Sequence, residues 1–260
     1  MKKVLSIAGS DSSGGAGIQA DIKTITMHGV FAMTAITALT AQNTLGVQDV
    51  FVVSENFMRE QIKSVFTDIR PDAIKIGMIP TDSLVEVVAQ ELNFFQAKNI
   101  IVDPVMIATS GADLTNKNAV KKLTSLLFPM AELITPNIFE GEILSEIKIN
   151  SSEDMIKATK IINQKYGCKV LLKGGHSQNN SSDLLYTGDN LYWFHGEKIN
   201  NPNTHGTGCT LSSAIASNIA KGQNLNLAIK NAKEYIANCI KAMLDLGSGR
   251  GPLNHMFNMK

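Results

Sequence analysis

The sequence has few cysteines, little net charge and no long apolar run, and each shortage excludes a class of protein. Among its 260 residues, Cys168, Cys209 and Cys239 are too few and too widely spaced for a disulfide framework or a Cys-x-x-Cys metal site. The formal net charge is +1, which gives no sign of a nucleic-acid or anionic-membrane partner. No apolar run could span a bilayer, and Asp11 comes too early for a signal peptide. We therefore expect a cytoplasmic protein that binds neither nucleic acid nor membrane.

Short apolar segments alternate with amphipathic segments along most of the chain. The apolar segments of strand length include KVLSIAG, DAIKIG, NIIVDPV, ELITPN and CKVLLKGGH. The segments between them have the period of helices, beginning with a helix from about Ala16 to His28. The segment DLLYTGDNLYWFHG predicts a β-hairpin. This alternation is typical of a parallel sheet with helices on both faces, and the lack of a linker or repeat predicts one domain over residues 1–260.

Small, polar or charged residues follow the predicted strands. They are Gly9-Ser10-Asp11, Gly77-Met78, Asp103-Pro104-Val105, Thr135-Pro136-Asn137 and Lys173-Gly174-Gly175-His176. Loops are polar in most proteins, so any one of these groups carries little information. In an open parallel sheet, however, ligands bind at the carboxyl ends of the strands. The gathering of all these residues at one edge therefore predicts a binding site there.

The glycine-rich segment after the first strand, GSDSSGGAGIQAD, has part of a dinucleotide-binding fingerprint. Gly15, Gly17 and Ala20 match the Gly-x-Gly-x-x-Ala spacing. The fingerprint also needs an acidic residue about 20 positions further on to bind a ribose. Residues 22–48 contain no Asp or Glu, and no Gly-Lys-Ser/Thr follows the glycines. Both the dinucleotide fold and the P-loop are therefore excluded as interpretations of this segment.

A second glycine-rich segment, HGTGCTLSSAIASNIAKG, predicts an anion site at the start of a helix. Gly206 and Gly208 leave backbone N–H groups free to face an anion, and the helix dipole adds to the attraction. A plain tight turn would need the same glycines. The segment follows the last strands of the predicted sheet, and Asp103 and Lys173 lie at neighbouring strand ends. This placement favours phosphate binding.

Motifs along nearly the whole chain resemble the hydroxymethylpyrimidine/phosphomethylpyrimidine kinases of thiamine biosynthesis, which are ribokinase-like kinases. The matching segments are AGSDSSGGAGIQAD, ALTAQNTLGV, KIGM, VDPVM, LITPNIFE, LKGGH, NTHGTGCTLS and GSGRGPLNH. The resemblance implies a three-layer α/β fold and a homodimer. It also implies that ATP, with Mg²⁺, phosphorylates 4-amino-5-hydroxymethyl-2-methylpyrimidine and then its monophosphate.

Two different functions also remain open at this point. Vitamin B6 kinases share most of these motifs, so the resemblance also allows a pyridoxal or pyridoxine kinase. Cys209 stands where the sugar kinases of the superfamily have a catalytic aspartate. The chain could therefore also be a catalytically idle nucleotide-binding protein on the same fold.

The resemblance assigns roles to individual residues. Those implied in catalysis are Gly206, Thr207, Gly208 and Cys209. Those implied in pyrimidine binding are Gly9, Asp21, Gln42, Met78 and Val105. Asn137 and Lys173 resemble nucleotide contacts, and Asp103 and Glu140 resemble magnesium ligands. Carboxylate oxygens suit Mg²⁺, and the amide of Gln42 can both donate to and accept from an aminopyrimidine edge.

Four of these assignments compete with a simpler interpretation. Lys173 could be a solvated residue at a strand end, although the flanking Leu171-Leu172 and Gly174-Gly175 make this less attractive. Glu140 could be an acidic residue that interacts with a helix dipole. Gln42 could be a polar residue at a strand end. Asp21 lies at the border of an apolar helical stripe, so it needs a partner unless it points to water.

The chemistry of Cys209 leads to a prediction about its pKa. A helix N-terminus favours the thiolate, so we expect a pKa below the usual ~8.5. The thiolate could then accept the proton of the hydroxymethyl group. A phosphate acceptor, with its second pKa of ~6, needs little or no base. Cys209 could instead only pack, with backbone N–H groups alone binding the anion.

Overall fold

A computed structural model of the chain describes residues 1–106, 117–174, 182–197 and 199–259. The helices are α1 (Gly17–Met27), α2 (Glu55–Asp68), α3 (Asp82–Phe94), α4 (Lys117–Lys122), α5 (Ile138–Ser145), α6 (Ser152–Tyr166), α7 (Thr207–Ala220) and α8 (Leu225–Lys241). The strands are β1 (Lys3–Ala8), β2 (Phe31–Ile36), β3 (Ala38–Asn43), β4 (Gly46–Val52), β5 (Ala73–Ile76), β6 (Ile100–Val102), β7 (Leu133–Ile134), β8 (Lys169–Leu172), β9 (Asp183–Tyr186) and β10 (Leu191–Phe194). The strand-end residues Gly175 and His176 lie outside the described ranges.

Within the described residues, one large sheet has the strand order β10-β9-β8-β7-β6-β5-β1-β2. Every neighbouring pair from β2 to β8 is parallel, and β9 and β10 add an antiparallel hairpin at the edge. The parallel sheet and the hairpin were both predicted. The chain passes from β1 to β2 on one side, and the next strand of the sheet, β5, lies on the other side of β1. This reversal is the kind of switch point at which open α/β sheets bind ligands.

Side chains alternate along each strand, so the sheet has two apolar faces. Helices cover both of them. Val4 and Ile101 pack towards α1, α7 and α8, whereas Leu5 and Ile100 pack towards α2, α3, α4 and α6. All four side chains are fully buried, and each such burial contributes about 1.5–3 kcal/mol. The predicted three layers are confirmed. Among the described helices, none is long and apolar enough to cross a bilayer.

A separate two-stranded ribbon, which the sequence analysis did not predict, projects from the large sheet. Its strands β3 and β4 are antiparallel, with a register shift between Ala41 and Gln42. Thr37 separates β2 from β3 and fixes the bend, since its backbone N–H donates to Ala8 and its hydroxyl donates to the carbonyl of Met78. The inward side of the ribbon thereby lies over the carboxyl edge of β1 and β5.

Candidate active site

The residues that follow the parallel strands meet at one edge of the sheet, as predicted. Along this edge the order is Gly9 after β1, Met78 after β5, Asp103 after β6, Asn137 after β7 and Lys173 after β8. Met78 lies against Gly9, where an added Cβ would come within 2.5 Å of its methyl group. Asn137 and Lys173 pair as an isolated parallel bridge. Gly9 and Met78, which are assigned to the pyrimidine, therefore lie on one side of Asp103, and Asn137 and Lys173, which are assigned to the nucleotide, lie on the other.

Asp103 and Lys173 form an ion pair at the centre of this edge. Lys173 Nζ lies 2.8 Å from Asp103 Oδ1, and the side chains are 16% and 3% exposed, respectively. The hydroxyl of Thr135 donates to the same carboxylate oxygen at 3.1 Å. Burial alone would lower the pKa of Lys173, but Asp103 and Glu140 raise it above its usual value. Lys173 therefore carries a fixed positive charge at the site.

Glu140 is part of the N-terminal cap of α5. The backbone N–H of Asn137 donates to Glu140 Oε2 at 2.8 Å, and the Glu140 N–H donates to Asn137 Oδ1 at 2.9 Å. The simpler interpretation of Glu140, an acidic residue at a helix N-terminus, is thus confirmed as its structural position. Burial raises the pKa of Glu140 to about 7, partly offset by Lys173 and reinforced by Asp103. Among the described residues, the amide nitrogen of Asn137 has no hydrogen bond, which would allow it to contact a ligand.

The carboxylates of Asp103 and Glu140 fit a magnesium ion that arrives with its substrate. No group of three or more His, Cys, Asp or Glu in the described ranges could hold a metal ion on its own. Mg²⁺ usually keeps several waters and binds through one or two carboxylates together with substrate phosphates. Asp103 and Glu140 are hard oxygen donors beside the predicted anion loop, so they could meet that requirement.

The predicted anion loop lies opposite Asp103 and Lys173. Gly206 has a φ of +85°, and a side chain at this position would overlap the carbonyl oxygen of Gly15. An added Cβ on Gly208 would lie 3.1 Å from Asp103 Oδ2 and 3.5 Å from Lys173 Nζ. Among the described residues, no side chain caps the N-terminus of α7. The N–H of Thr207 donates to the carbonyl of Thr204 at 3.3 Å, whereas those of Gly208 and Cys209 have no partners within the helix. The helix start is therefore open to an anion.

The prediction for Cys209 is wrong in one respect. Its thiol pKa is raised, not lowered, to about 11. Desolvation is the main cause; the charge of Lys75 opposes it, and those of Asp21 and Asp103 reinforce it. The backbone N–H of Gly17 also faces the sulfur and favours the thiolate, but these stabilising contacts are weaker than the effect of burial. The resting thiol at neutral pH is therefore protonated.

Asp11, which received no role from the sequence, joins the two glycine-rich turns. Its carboxylate accepts the backbone N–H groups of Ser13, Gly15 and Ala16 at 2.8–3.0 Å, and His205 Nε2 lies 2.8 Å from Oδ2. Burial alone would raise the pKa of Asp11, but the hydrogen bonds, led by that of His205, hold it well below its usual range. The only sequence signal for this role was an aspartate placed just before a glycine run, as in many turns.

Gln42 lies where the ribbon meets the anion loop. Its amide is 3.3 Å from His205 Nε2 and 3.2 Å from the hydroxyl of Thr40. Ser12 holds the backbone of Gln42 through two 2.8 Å hydrogen bonds. The ribbon thus brings an amide next to the residue that precedes Gly206. Gln42, Met78 and Val105 keep part of their surface exposed at the edge.

Asp21 does not share this exposure. The structure does not place it at the open edge, where the resemblance implies a pyrimidine-binding residue. It has no exposed surface, and both of its oxygens lie within 2.9 Å of Lys75 Nζ. The hydroxyls of Ser6 and Ser213 donate to the same carboxylate at 2.5 and 2.7 Å. The expectation that Asp21 needs a partner is confirmed, but its carboxylate lies beneath the site and not in a space open to a pyrimidine. In the sequence, the only indication of this ion pair was Lys75 itself, a lysine within the otherwise apolar segment DAIKIG.

Comparisons with known proteins agree with this geometry. The family model described as phosphomethylpyrimidine kinase matches residues 11–254. The hydroxymethylpyrimidine/phosphomethylpyrimidine kinase of Haemophilus influenzae is 44% identical over 98% of this chain and 97% of its own length. The thiamine biosynthesis bifunctional protein of Geobacter sulfurreducens is also 44% identical over 97% of this chain, which spans about half (52%) of that longer protein.

A solved structure gives the same fold with ligands bound. The pyridoxal kinase of Staphylococcus aureus in complex with AMP-PCP and pyridoxal is 35% identical, with a TM-score of 0.91. The match covers 99% of this chain and 94% of that one. The predicted ribokinase-like three-layer fold is confirmed.

Proposed function

Because the chain belongs to the phosphomethylpyrimidine kinase family, a family of small-molecule kinases, we propose that it makes the pyrimidine diphosphate of thiamine biosynthesis. In two steps it transfers the γ-phosphoryl group of ATP to 4-amino-5-hydroxymethyl-2-methylpyrimidine and then to the resulting monophosphate. One observation carries this proposal: the uncapped start of α7 faces the Asp103–Lys173 pair at the carboxyl edge.

The anion loop performs most of the catalysis in this account. Phosphoryl transfer needs positioning and charge stabilisation more than covalent help, because charge spreads over the three equatorial phosphate oxygens. The N–H groups of Gly208 and Cys209 are fixed by the fold and need no rearrangement to meet that charge, whereas that of Thr207 would have to be shared with the carbonyl of Thr204. Gly206 supplies the left-handed turn that aims them. Lys173 neutralises nucleotide phosphate oxygens from the opposite side, with Asn137 beside it.

Asp103 and Glu140 would hold the Mg²⁺ that accompanies ATP, directly or through water. When bound, the ion neutralises the phosphate oxygens and aligns them. Burial raises the pKa of Glu140 and so favours its protonated form in the resting protein. A nearby divalent cation favours the carboxylate, so the residue ionises as the nucleotide complex forms.

The acceptor would lie on the β1 and β5 side, against Gly9, Gln42, Met78 and Val105. Gln42 can pair with the exocyclic amino group and a ring nitrogen together. Cys209 is then the nearest group of the anion loop that could take the hydroxyl proton. Its raised pKa makes the thiolate scarce at neutral pH but a stronger base once formed. The monophosphate, already ionised, needs no such base.

A pyridoxal kinase is the second candidate, and the likeness to a solved pyridoxal kinase favours it over an idle nucleotide-binding protein. The related Staphylococcus aureus protein was solved with pyridoxal and AMP-PCP bound. Pyridoxal and the aminopyrimidine both present a hydroxymethyl group on an aromatic nitrogen heterocycle. The two functions differ at the groups that Gln42 would contact.

We also propose a homodimer that works in the cytoplasm. On the outward side of the ribbon, Leu39 and Phe51 are cross-strand neighbours and are 48% and 69% exposed. Leu45, in the turn at the tip of the same ribbon, is 69% exposed. A second copy that covered the ribbon would remove these exposed apolar side chains from water. The three cysteines are free, which agrees with a reducing compartment.

An acceptor panel tests the proposed function. ADP release is measured with Mg²⁺-ATP and, in turn, the hydroxymethylpyrimidine, its monophosphate, pyridoxal and no acceptor. We expect the two pyrimidines to give the highest kcat/KM and EDTA to abolish turnover. A preference for pyridoxal would establish the second candidate. If no acceptor causes ADP to be released, the idle nucleotide-binding protein would be the remaining interpretation.

A further inference from the structure

Four polar side chains with no exposed surface form a cluster beneath the candidate active site. Asp21 is its centre: Lys75 Nζ lies 2.8 and 2.9 Å from its two oxygens. Ser6 and Ser213 each donate to one of these oxygens. Every member is 0% exposed, so the whole cluster is shielded from bulk solvent.

Stability does not explain why such a cluster is present. Burying two charges has a large desolvation cost, and well-packed apolar residues in place of a buried ion pair are often neutral or stabilising. Of the thirteen ion pairs described, Lys75–Asp21 is the one with no exposure on either side chain. A costly pair directly under a site suggests a role in that site.

The cluster joins the elements that lead into the site. Ser6 is on β1, which leads to Gly9, and Lys75 is on β5, which leads to Gly77 and Met78. Asp21 is on α1, and Ser213 is on α7, the helix that starts at the anion loop. A single carboxylate therefore fixes the acceptor side of the sheet edge relative to the loop that would bind the transferring phosphate.

The ammonium of Lys75 also reaches the carboxyl edge itself. An added Cβ on Gly77, the residue that follows β5, would lie 2.7 Å from Lys75 Nζ. Burial alone would lower the pKa of Lys75, but the charges of Asp21, Cys209 and Asp103 raise it above its usual value. Lys75 is thus a permanent cation whose field extends to the anion loop and to the Asp103–Lys173 pair.

We propose that Lys75 and Asp21 are a positioning pair for phosphoryl transfer. Asp21 holds β1, β5 and α7 in one arrangement, and Lys75 provides a buried positive charge below the position of the transferring phosphate. Neither residue touches a substrate. The inference rests on the phosphoryl transfer proposed above.

Removal of the whole pair separates this role from a purely structural one. The double variant Lys75→Met/Asp21→Leu leaves no unpaired buried charge, and Arg59→Met/Glu91→Leu removes an ion pair between α2 and α3 as a matched control. We expect the double variant at the site to keep a melting temperature near that of the wild type and its affinity for Mg²⁺-ADP. Its kcat with the hydroxymethylpyrimidine should fall about 100-fold, as for loss of one fixed electrostatic group. The control should keep the wild-type kcat.

A milder variant keeps the test valid if the double variant does not fold. Ser213→Ala removes one hydrogen bond to Asp21 and leaves the ion pair intact. Its kcat should fall about fivefold, the equivalent of one hydrogen bond, without a change in nucleotide affinity.

Three results would overturn the inference. A folded double variant with wild-type kcat would make the pair structural only. If the double variant does not fold, an unchanged kcat in Ser213→Ala would do the same. A wild-type protein that phosphorylates none of the acceptors would reject the proposed function and, with it, this inference.

Discussion

The two glycine-rich turns at the sheet edge look alike in sequence and differ in what their backbone N–H groups do. In the turn after β1, the groups of Ser13, Gly15 and Ala16 are bound by the carboxylate of Asp11. In the turn before α7, no described side chain caps the helix start. The first turn supplies its own anion, whereas the second is open to one from outside.

This difference shows that glycine content alone does not identify a phosphate site. An internal carboxylate that occupies the N–H groups of a turn makes the turn a rigid support. A helix start without such a carboxylate, facing Lys173, keeps its dipole and donors for a ligand. The rejection of the first turn as a dinucleotide site, made from a missing acidic residue downstream, thus acquires a structural reason.

The largest effect should come from Gly206→Ala, with Gly14→Ala as its counterpart in the first turn. Both glycines have positive φ, +85° and +81°, but only a Cβ at Gly206 would overlap backbone, that of Gly15. At Gly14 the nearest atom is the flexible end of Lys23, 3.2 Å away. We expect kcat/KM to fall more than about 1000-fold for Gly206→Ala, because several donors lose their aim. Gly14→Ala should lose about 1–2 kcal/mol of stability and little activity. Equal kinetic losses would remove the distinction between the turns.

Asp103→Asn tests the carboxylate that faces only the second turn. We expect kcat to fall about 300-fold, because a magnesium ligand and the partner of Lys173 are lost together. The concentration of Mg²⁺ needed for half-maximal rate should rise, while the melting temperature stays high enough for assay. Normal turnover with a normal magnesium response would contradict the assignment of Asp103.

Cys209→Ala should affect the two acceptors unequally. The alcohol step should slow about 100-fold, since a positioned base is lost, while the monophosphate step should change by about threefold or less. The thiolate fraction rises about tenfold per pH unit below a pKa of about 11, so the wild-type alcohol rate should increase from pH 7 to 9. This increase should be absent in the alanine variant. Equal losses on both acceptors would mean that Cys209 is not a base and that the turn before α7 acts through its backbone N–H groups alone.

The smallest kinetic effect should come from Asp11→Asn, which tests the first turn as a support. Because hydrogen bonds hold the pKa of Asp11 below its usual range, it stabilises the fold above about pH 4, and this contribution is lost as the pH falls further. The variant should be about 1–3 kcal/mol less stable at pH 7. Denaturant titrations of both proteins should converge as the pH is lowered towards 2. A constant difference at all pH values would mean that the charge of Asp11 is not what stabilises the turn.

The features that depend on local sequence could be predicted. Helix α1 was expected from about Ala16 to His28 and spans Gly17–Met27, because apolar period and a following glycine are local signals. The strand ends and the glycine-containing start of α7 were predicted in the same way. The ribbon was missed, since Gly46–Val52 is largely exposed and has no clear alternation between apolar and polar residues.

The features that depend on packing could not be predicted. Lys75 and Asp21 are 54 positions apart, and His205 and Asp11 are 194 apart, so no local pattern links them. The pKa of Cys209 was predicted from the helix dipole alone. Desolvation, which only the folded structure reveals, reversed its direction.

The most direct test of the central claim is the amide NMR spectrum of the labelled protein as Mg²⁺-ADP and an acceptor are added. The account predicts large shift changes for the N–H groups of Gly208 and Cys209. It predicts small changes for those of Ser13, Gly15 and Ala16, which Asp11 already binds. Large changes in the first turn with none in the second would contradict it.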